Sequence, residues 1–289
     1  MPLENVISIC NRADLQTWKE ASPRIIERID GKNYTLITPN SDKKDFIHCS
    51  PSDFTVVAEE DYFTPRFTKL LQEKTATSKF GAQKLGWYLQ QFLKLKELEK
   101  TSSEGLSLIW DADTVPLKKL TFEEGGRILF YKGEEFHPPY FTVIESLLRL
   151  KKSNSFSFIA QCLPCKGNWI KSMLKAIESN TGKSWEEGIL DCINFNVLNG
   201  FSEYETIGTF IESQFPQEIT ILNKRWSRFG NGLIGSIDNL WLFESVLKAR
   251  YDFISFEKWN EPYSKYPGRK LRRRLRKSQS NSLSLHINS

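Results

Sequence analysis

The sequence has few of the features that mark disulfide-bonded, secreted or membrane-spanning proteins. Only five of its 289 residues are cysteine, an odd number at irregular spacing, so we expect a reducing cytoplasm rather than a disulfide framework. No apolar run approaches the ~20 residues that would span a bilayer. The first ten residues contain no basic segment, and their apolar pattern predicts a strand at residues 6–10 rather than a signal peptide.

The formal net charge of +5 comes from the end of the chain and not from its body. Residues 263–289 contain eight Lys and Arg and no Asp or Glu; subtracting these eight from the total of 40 leaves 32 basic residues against 35 acidic ones, a net charge of −3. Such a body lacks the general charge signature of nucleic-acid binding, so no specific nucleic acid is expected as a partner. We therefore divide the chain into one globular domain, residues 1–262, and a basic C-terminal tail, residues 263–289, that we expect to be disordered.

The order of apolar segments predicts an α/β fold. Strands at residues 6–10, 34–38 and 54–58, with a helix at 15–29 interrupted by Pro23, give a β-α-β-β opening. A strongly amphipathic helix at 84–99 then leads to a strand at 106–110. The later pattern predicts strands at 127–131 and 155–159 and helices at 140–150, 169–179, 185–193, 202–211 and 238–251.

Two carboxylates follow the apolar run that begins at Leu106. Asp111 and Asp113 are one residue apart, so in an extended strand both side chains would lie on one face. Adjacent carboxylates repel each other, and Mg²⁺ or Mn²⁺ stabilises such a pair while completing its coordination shell with water and phosphate. We expect Pro116 to end the strand, and a metal site at its carboxyl end, where open α/β sheets bind ligands. The alternative is a pair of solvated acids in a turn.

Two enzyme classes use an apolar strand that ends in Asp-x-Asp. Residues 111–115 resemble the first motif of haloacid-dehalogenase-like phosphohydrolases, in which one Asp is the nucleophile. That motif normally opens the domain, whereas here it follows a long α/β segment, and no convincing Gly-Asp-x-x-x-Asp comes after it. In the second class, the nucleotide-sugar transferases of GT-A type, the motif holds Mn²⁺ or Mg²⁺ against the donor diphosphate.

Several further segments extend the resemblance to the second class. In order, they are residues 86–95, 110–117, His137-x-x-Tyr140, 200–206 and Phe256-Glu-x-Trp259. Over about residues 6–259 the chain resembles a bacterial family of GT-A-like glycosyltransferases that carry an Asp-x-Asp motif and are associated with surface polysaccharide synthesis. This resemblance implies a mixed central sheet flanked by helices, a nucleoside-diphosphate sugar donor, a glycan or lipid-linked acceptor, and Mn²⁺ or Mg²⁺ on Asp111 and Asp113. A non-catalytic carbohydrate-binding protein with the same fold is a further alternative.

Glu203 and Glu205 are the candidates for a catalytic base. They lie about ninety residues after the metal motif, where the resemblance implies an acidic residue near the acceptor. Ser202 and Glu205 also fit a capping box, Ser-x-x-Glu, at the start of a helix. If the enzyme inverts configuration, Glu203 is the first choice as general base and Glu205 the second.

Four polar side chains are candidates for contacts with the nucleotide. Arg225 and Arg228 belong to a glycine-rich basic segment and could neutralise the departing diphosphate, although a surface turn explains them equally well. Asn11 and Arg12 follow the first strand, which is the position from which they could meet the base or ribose.

The remaining motifs concern the acceptor, the cysteines and the tail. His137 with Tyr140 either lines the acceptor pocket or caps a rigid turn. The Cys162-Leu-Pro-Cys165 segment lacks the context of a redox dithiol and the further ligands of a zinc site, so packed free cysteines are expected. The basic tail either attaches the protein peripherally to the anionic inner face of a membrane or is a solvated end.

Overall fold

The structure is a computed structural model that describes residues 2–79, 84–223 and 225–257. Its strands are β1 Asn5–Ile9, β2 Tyr34–Thr38, β3 Phe54–Ala58, β4 Leu106–Trp110, β5 Thr114–Pro116, β6 Glu123–Glu124, β7 Arg127–Tyr131, β8 Cys162–Lys166, β9 Ile219–Leu222, β10 Trp226–Ser227 and β11 Phe253–Ser255. Its α-helices are α1 Leu15–Arg28, α2 Lys43–Cys49, α3 Pro65–Ala76, α4 Leu85–Glu99, α5 Pro138–Leu148, α6 Gly167–Thr181, α7 Trp185–Cys192, α8 Glu203–Gln214, α9 Gly230–Ile234 and α10 Leu240–Arg250.

A five-stranded sheet with the order β3-β2-β1-β4-β8 forms the centre of the fold. Strands β1 to β4 are parallel, and β8 is antiparallel to β4 at the end of the sheet. The chain builds β1, β2 and β3 in one direction and then returns to place β4 on the other side of β1. The α/β prediction, with a mixed central sheet flanked by helices, is confirmed.

The composition of the strands explains why the sheet is internal. All five residues of β2 and all five of β4 are buried, as expected for parallel strands covered on both faces. The flanking helices contribute large fully buried rings, among them Trp18 of α1 and Trp169 of α6. Trp18 packs edge-on against Phe54 of β3, which fixes α1 against the sheet.

Two small three-stranded sheets extend the central one. The first has the order β10-β11-β5, and β5 in it pairs antiparallel with β11. The second has the order β6-β7-β9. Because β5 follows β4 after a short turn, the first small sheet holds the chain at the carboxyl end of β4.

Several elements differ from the sequence-based expectations. The helix α1 runs through Pro23 without a break, because the burial of residues on both sides of it, such as Trp18 and Ile25, offsets the lost hydrogen bond. Residues 155–159 do not form a strand; only Ser157 makes an isolated bridge, to Gly133. The sequence pattern did not indicate α2, α3 or β8.

No helix in the described part of the chain is long and apolar enough to cross a membrane. The basic tail at 263–289 and Trp259 lie outside the described residues.

Candidate active site

An open cleft of about 620 Å³ lies at the carboxyl end of the central sheet. Its lining includes Ile9, the last residue of β1, and Asp111, the first residue after β4. Strands β1 and β4 are neighbours whose connections leave in opposite directions, and open α/β sheets bind their ligands in the crevice at such a point. The volume falls within the range of sites for small molecules.

The paired aspartates lie in a turn and not in the extended strand that we expected. Strand β4 ends at Trp110, and the amide of Thr114 donates to the carbonyl oxygen of Asp111 at 2.9 Å, as in a β-turn. Pro116 does not end this strand; it is the last residue of β5. Both carboxylates nevertheless line the cleft and are partly buried, so the reading as solvated acids does not describe them.

A buried lysine joins one aspartate of the pair to a glutamate from another helix. The Nζ atom of Lys94, on α4, donates to Asp111 Oδ1 and to Glu203 Oε1, each at 2.7 Å. Its side chain is only 4% exposed. Burial alone would lower the pKa of Lys94, but the two carboxylates outweigh it and the pKa is raised. Lys94 is therefore a permanent cation within the cleft wall.

Tyr204 completes this network. Its hydroxyl donates to Asp111 Oδ1 at 2.8 Å, and its ring lies beneath Lys94, with the ammonium nitrogen 4.4 Å from the ring centroid. Burial, followed by the charge of Asp111, raises the pKa of Tyr204 well above its usual value, so the hydroxyl stays a donor. Lys94 and Tyr204 together fix one oxygen of Asp111.

Asp113 has a different environment. Its Oδ1 atom accepts hydrogen bonds from the hydroxyl of Ser255 at 3.0 Å and from that of Thr114 at 3.2 Å, and no cation pairs with it in the described part of the chain. Burial and then the negative charges of Glu257 and Asp111 raise the pKa of Asp113 to about 8. The site therefore stores electrostatic repulsion that a bound cation would relieve.

The cleft as a whole has an excess of carboxylates. Its described lining contains three cations, Lys84, Lys94 and Arg228. Against them stand six carboxylates, from Asp14, Asp111, Asp113, Glu135, Glu203 and Glu257. This imbalance favours a divalent cation over a free phosphate as the first ligand to enter.

The donor set fits a hard cation that keeps most of its shell for water and substrate. In the hydrogen bonds of the described residues, Asp111 and Asp113 each use only Oδ1, which leaves Oδ2 of both side chains for a ligand. No group of three or more His, Cys, Asp or Glu in the described ranges is arranged to hold a metal. Two carboxylates with substrate phosphates and water suit Mg²⁺ or Mn²⁺, whereas a structural zinc site needs four protein ligands.

The two candidate bases have different positions. Glu203 lines the cleft, and its amide donates to the side-chain oxygen of Gln91 at 3.0 Å. Burial raises its pKa, while the charge of Lys94 acts in the opposite direction. Glu205 is absent from the described lining of the cleft, and its carboxylate accepts hydrogen bonds from Ser157, from the amide of Phe158 at 3.1 Å and from Lys152 at 3.2 Å.

The structure also contains the expected cap of α8. The amide of Glu205 donates to the hydroxyl of Ser202 at 3.3 Å, so Ser202 is the N-cap. Only half of the predicted capping box is present: Ser202 caps the helix, while among the described residues the carboxylate of Glu205 accepts from Ser157, Phe158 and Lys152 and not from the Ser202 amide. The geometry supports Glu203, and not Glu205, as the group that can meet a ligand.

The two arginines of the glycine-rich segment also differ in their position relative to the cleft. Arg228 lines the cleft, donating to Glu135 at 3.0 Å and lying 3.4 Å from Glu257. Arg225 is half-exposed, pairs with Asp252 at 3.3 Å and is not among the described cleft residues. Only Arg228 is placed to contact a ligand in the cleft.

Asn11 and Arg12 lie just after β1, as predicted, but at the rim and not in the described lining. The side chain of Asn11 caps a short 3₁₀ helix by accepting from the amide of Ala13 at 2.8 Å. Arg12 is exposed and pairs with Asp42 and Asp45. The neighbouring residues Ala13 and Asp14, which were not predicted, line the cleft instead.

Tyr140 and His137 meet at the start of α5. Tyr140 is buried and lines the cleft, and its ring packs edge-on against His137 with centroids 4.6 Å apart. The Nε2 atom of His137 lies 2.7 Å from the carbonyl oxygen of Leu198, which fixes the ring outside the described lining. His137 thus supports the wall that Tyr140 forms.

The two cysteines of the Cys162-Leu-Pro-Cys165 segment are free and buried in β8. In the ladder between β4 and β8, Cys162 lies opposite Trp110 and Cys165 lies opposite Ser107. Residues three apart on a strand point to opposite faces, so this pair cannot form a disulfide there. The expectation of packed free cysteines is confirmed.

Sequence reasoning missed the residues that connect the site. Lys94 and Tyr204 lie within segments 86–95 and 200–206, which carry the family resemblance, yet neither segment by itself indicates a role for them. Gln161 is a third case: its amide donates to Glu257 at 2.7 Å at the cleft edge. A lysine between two buried leucines, as in Leu93-Lys94-Leu95, was the available signal.

Comparison with known proteins gives similar solved structures and one family. Similar structures include mouse xyloside xylosyltransferase 1 (TM-score 0.46, 13% identity, 90% of this chain and 99% of that chain). The WbbM bifunctional glycosyltransferase has a TM-score of 0.46 and 13% identity, over 90% of this chain and 46% of that chain. The galactosyltransferase LgtC in complex with donor and acceptor sugar analogs has a TM-score of 0.47 and 8% identity, over 92% of this chain and 93% of that chain. No functionally curated protein matches the sequence significantly.

The family model described as "Family of unknown function (DUF6492)" matches residues 26–224. This match includes β2 to β9, the aspartate turn and the start of α8, and therefore most of the cleft wall. Because it covers more than half of the sequence, the chain belongs to the DUF6492 family.

Proposed function

We propose that the protein is a metal-dependent glycosyltransferase of GT-A-like fold that moves a sugar from a nucleoside-diphosphate donor to a glycan or lipid-linked acceptor. One observation carries the proposal. The Asp111–Asp113 turn lies at the carboxyl ends of β1 and β4, in a cleft whose described lining has six carboxylates and three cations. A diphosphate can enter such a cleft only with a cation that neutralises it.

Asp111 and Asp113 would hold Mn²⁺ or Mg²⁺. When bound, the ion supplies charge stabilisation for the departing diphosphate. Lys94 and Tyr204 hold Asp111 Oδ1, so this carboxylate is oriented before any ligand arrives. Ser255 does the same for Asp113 Oδ1.

Arg228 provides the cleft with a second, largely buried cation, which lies among the carboxylates. Its guanidinium is oriented by Glu135 and Glu257 and lies in the described lining. A guanidinium can bind a phosphate through two parallel hydrogen bonds, so Arg228 is the residue that would contact the diphosphate directly. The exposed Arg225 and Arg12 remain weaker candidates.

Glu203 is the proposed proton acceptor for the acceptor hydroxyl. Burial raises its pKa, which brings a carboxylate closer to the basicity that proton transfer at neutral pH requires. Lys94 keeps it ionised and fixes one oxygen. Tyr140 lies in the same lining and would contact the acceptor sugar, with His137 behind it.

The proposal extends to the cellular setting. An acceptor in cell-surface polysaccharide synthesis would be assembled at the inner face of the membrane, and the eight cations of residues 263–289 would attach the enzyme there peripherally.

The alternative function is that of a haloacid-dehalogenase-like phosphohydrolase. Such an enzyme would transfer a phosphoryl group to Asp111 or Asp113 and would need no nucleotide.

Isothermal titration calorimetry with UDP and GDP tests the proposal. The wild-type protein should bind a nucleoside diphosphate with Mn²⁺ and not with EDTA, and Asp113→Asn should weaken this binding at least tenfold. Asp191→Asn is the matched control, because Asp191, near the end of α7, pairs with two surface lysines.

Two outcomes would contradict the proposal. Equal affinity in Asp113→Asn would contradict the metal site, and hydrolysis of p-nitrophenyl phosphate without nucleotide binding would favour the phosphohydrolase. A screen of nucleotide sugars by thermal shift would then identify the donor.

A further inference from the structure

The helix α10 exposes an unusual number of large apolar side chains. Trp241 is 72% exposed, Leu242 56% and Val246 57%, and Phe243 is also exposed. Four large apolar residues within six positions of one helix form a continuous patch, whereas singly scattered ones would need no explanation. We call Trp241, Leu242, Phe243 and Val246 the α10 patch.

The opposite side of the helix fixes its orientation. Leu240 and Leu247 are buried against the domain. Glu244 pairs with Arg28 at 2.8 Å and with Arg24 at 3.4 Å, both on α1. Because these contacts hold the inner side, the α10 patch faces outward in the folded domain.

Two cations accompany the patch. At ~100° per residue, Lys248 lies about 20° beyond Trp241 at one border, and Arg250 lies within the patch, between Val246 and Phe243. Both cations are exposed, and the only acid in α10 is Glu244, which turns inward to α1. An outward face that combines large apolar side chains with exposed cations and no acid is the pattern of a helix that lies in a membrane interface.

The chain beyond the described residues adds charge of the same sign. The first cation of the basic tail, Lys265, follows Glu257 by eight residues, a stretch that reaches up to ~28 Å when extended. The eight tail cations have no neighbouring acids after residue 262. Stable attachment of a peripheral protein usually needs two signals, one apolar and one electrostatic, and an anionic bilayer supplies the charge opposite to that of Lys248, Arg250 and the tail.

We propose that the α10 patch is a membrane-docking surface for anionic bilayers. Trp241, Leu242 and Val246 enter the interfacial layer, while Lys248 and Arg250 contact the phosphate headgroups. The proposal stands apart from glycosyl transfer, because it depends on this outward face, its cations and the basic tail, and on no residue of the cleft.

Vesicle sedimentation of the full-length protein tests the proposal. We expect binding to vesicles of phosphatidylcholine with 30% phosphatidylglycerol, and at least tenfold weaker partitioning for Trp241→Ser/Val246→Ser. Ile47→Ser is the matched control, since Ile47 on α2 is 58% exposed and lies outside the patch. Circular dichroism confirms that each variant is folded.

A second measurement separates insertion from simple charge attraction. Brominated lipids should quench the tryptophan fluorescence of the wild-type protein. The Trp241→Phe variant should still bind the vesicles, but its fluorescence should be quenched clearly less. Undiminished partitioning of the double variant, or a loss equal to that of Ile47→Ser, would overturn the proposal. A dimer in solution that the double variant dissociates, without any vesicle binding, would assign the patch to a second copy and also overturn it.

Discussion

Replacing Lys94 with Met is the sharpest test of how the cleft is held together. Methionine keeps the unbranched side chain as far as the ε-carbon and removes the ammonium group that donates to Asp111 and Glu203, each at 2.7 Å. Glu203, 4% exposed at its side chain, would then lose its ion pair, while Asp111 is 22% exposed and keeps the hydroxyl of Tyr204. Most of the cost should therefore come from the stranded Glu203.

The magnitude follows from the burial of both partners. Removing one partner of a buried ion pair typically costs about 3–5 kcal/mol, because the other charge stays in a poorly solvating environment. We expect Lys94→Met to lower the free energy of unfolding by about this amount at pH 7.5. Adding Glu203→Gln should restore part of it, since the double variant buries no unpaired glutamate.

The loss should depend on pH in a defined direction. Burial raises the pKa of Glu203, and Lys94 opposes this, so its removal raises that pKa further. A carboxyl whose folded pKa exceeds its unfolded value binds a proton more tightly in the folded state, and that stabilisation is lost as the pH rises through the folded pKa. The deficit of Lys94→Met should thus be smaller at pH 5 than at pH 8.

Urea unfolding followed by circular dichroism at both pH values measures the effect. Lys96→Met is the control on the same helix: Lys96 is 24% exposed and pairs with Glu186, so its loss should cost no more than about 1 kcal/mol. A loss below 1 kcal/mol for Lys94→Met, or a loss that does not change with pH, would refute the reasoning.

The remaining predictions concern the carboxylates. In EDTA, the melting temperature of Asp113→Asn should rise relative to wild type by ~2–4 °C or more between pH 5 and pH 8.5, because the pKa of Asp113 is raised to about 8 and its ionisation destabilises the folded state. Melting temperatures that change in parallel across that range would show that burial and the neighbouring charges do not raise the pKa of Asp113. Glu203→Gln should suppress sugar transfer more than donor binding, measured by product formation and calorimetry. Glu205→Gln should instead lower the melting temperature, since its carboxylate accepts from Ser157 and Phe158 in the interior. If Glu205→Gln reduces sugar transfer more than Glu203→Gln does when both variants are equally folded, then Glu205 is the base and Glu203 has the structural role.

The local pattern was sufficient where an element buries a regular set of side chains. The strands β2 and β3 begin and end at the predicted residues, because their apolar runs are bounded by turn-forming residues on both sides. The pattern failed for β8, because this strand contains Pro164, which a strand tolerates at the edge of a sheet, where β8 lies. It also failed at residues 155–159, where alternation is present but no neighbouring strand offers a full ladder.

The sequence by itself determined that a pair of aspartates follows a buried strand in an α/β domain, because hydrophobicity and spacing are local properties. Only the tertiary structure decided what surrounds that pair. Lys94 and Glu203 are 109 residues apart, and a lysine within a helix could equally have faced water. The exposure of the α10 patch is a tertiary fact as well: an apolar helix is expected to be buried until its neighbours are known, and the described neighbours of α10 bury Leu240 and Leu247.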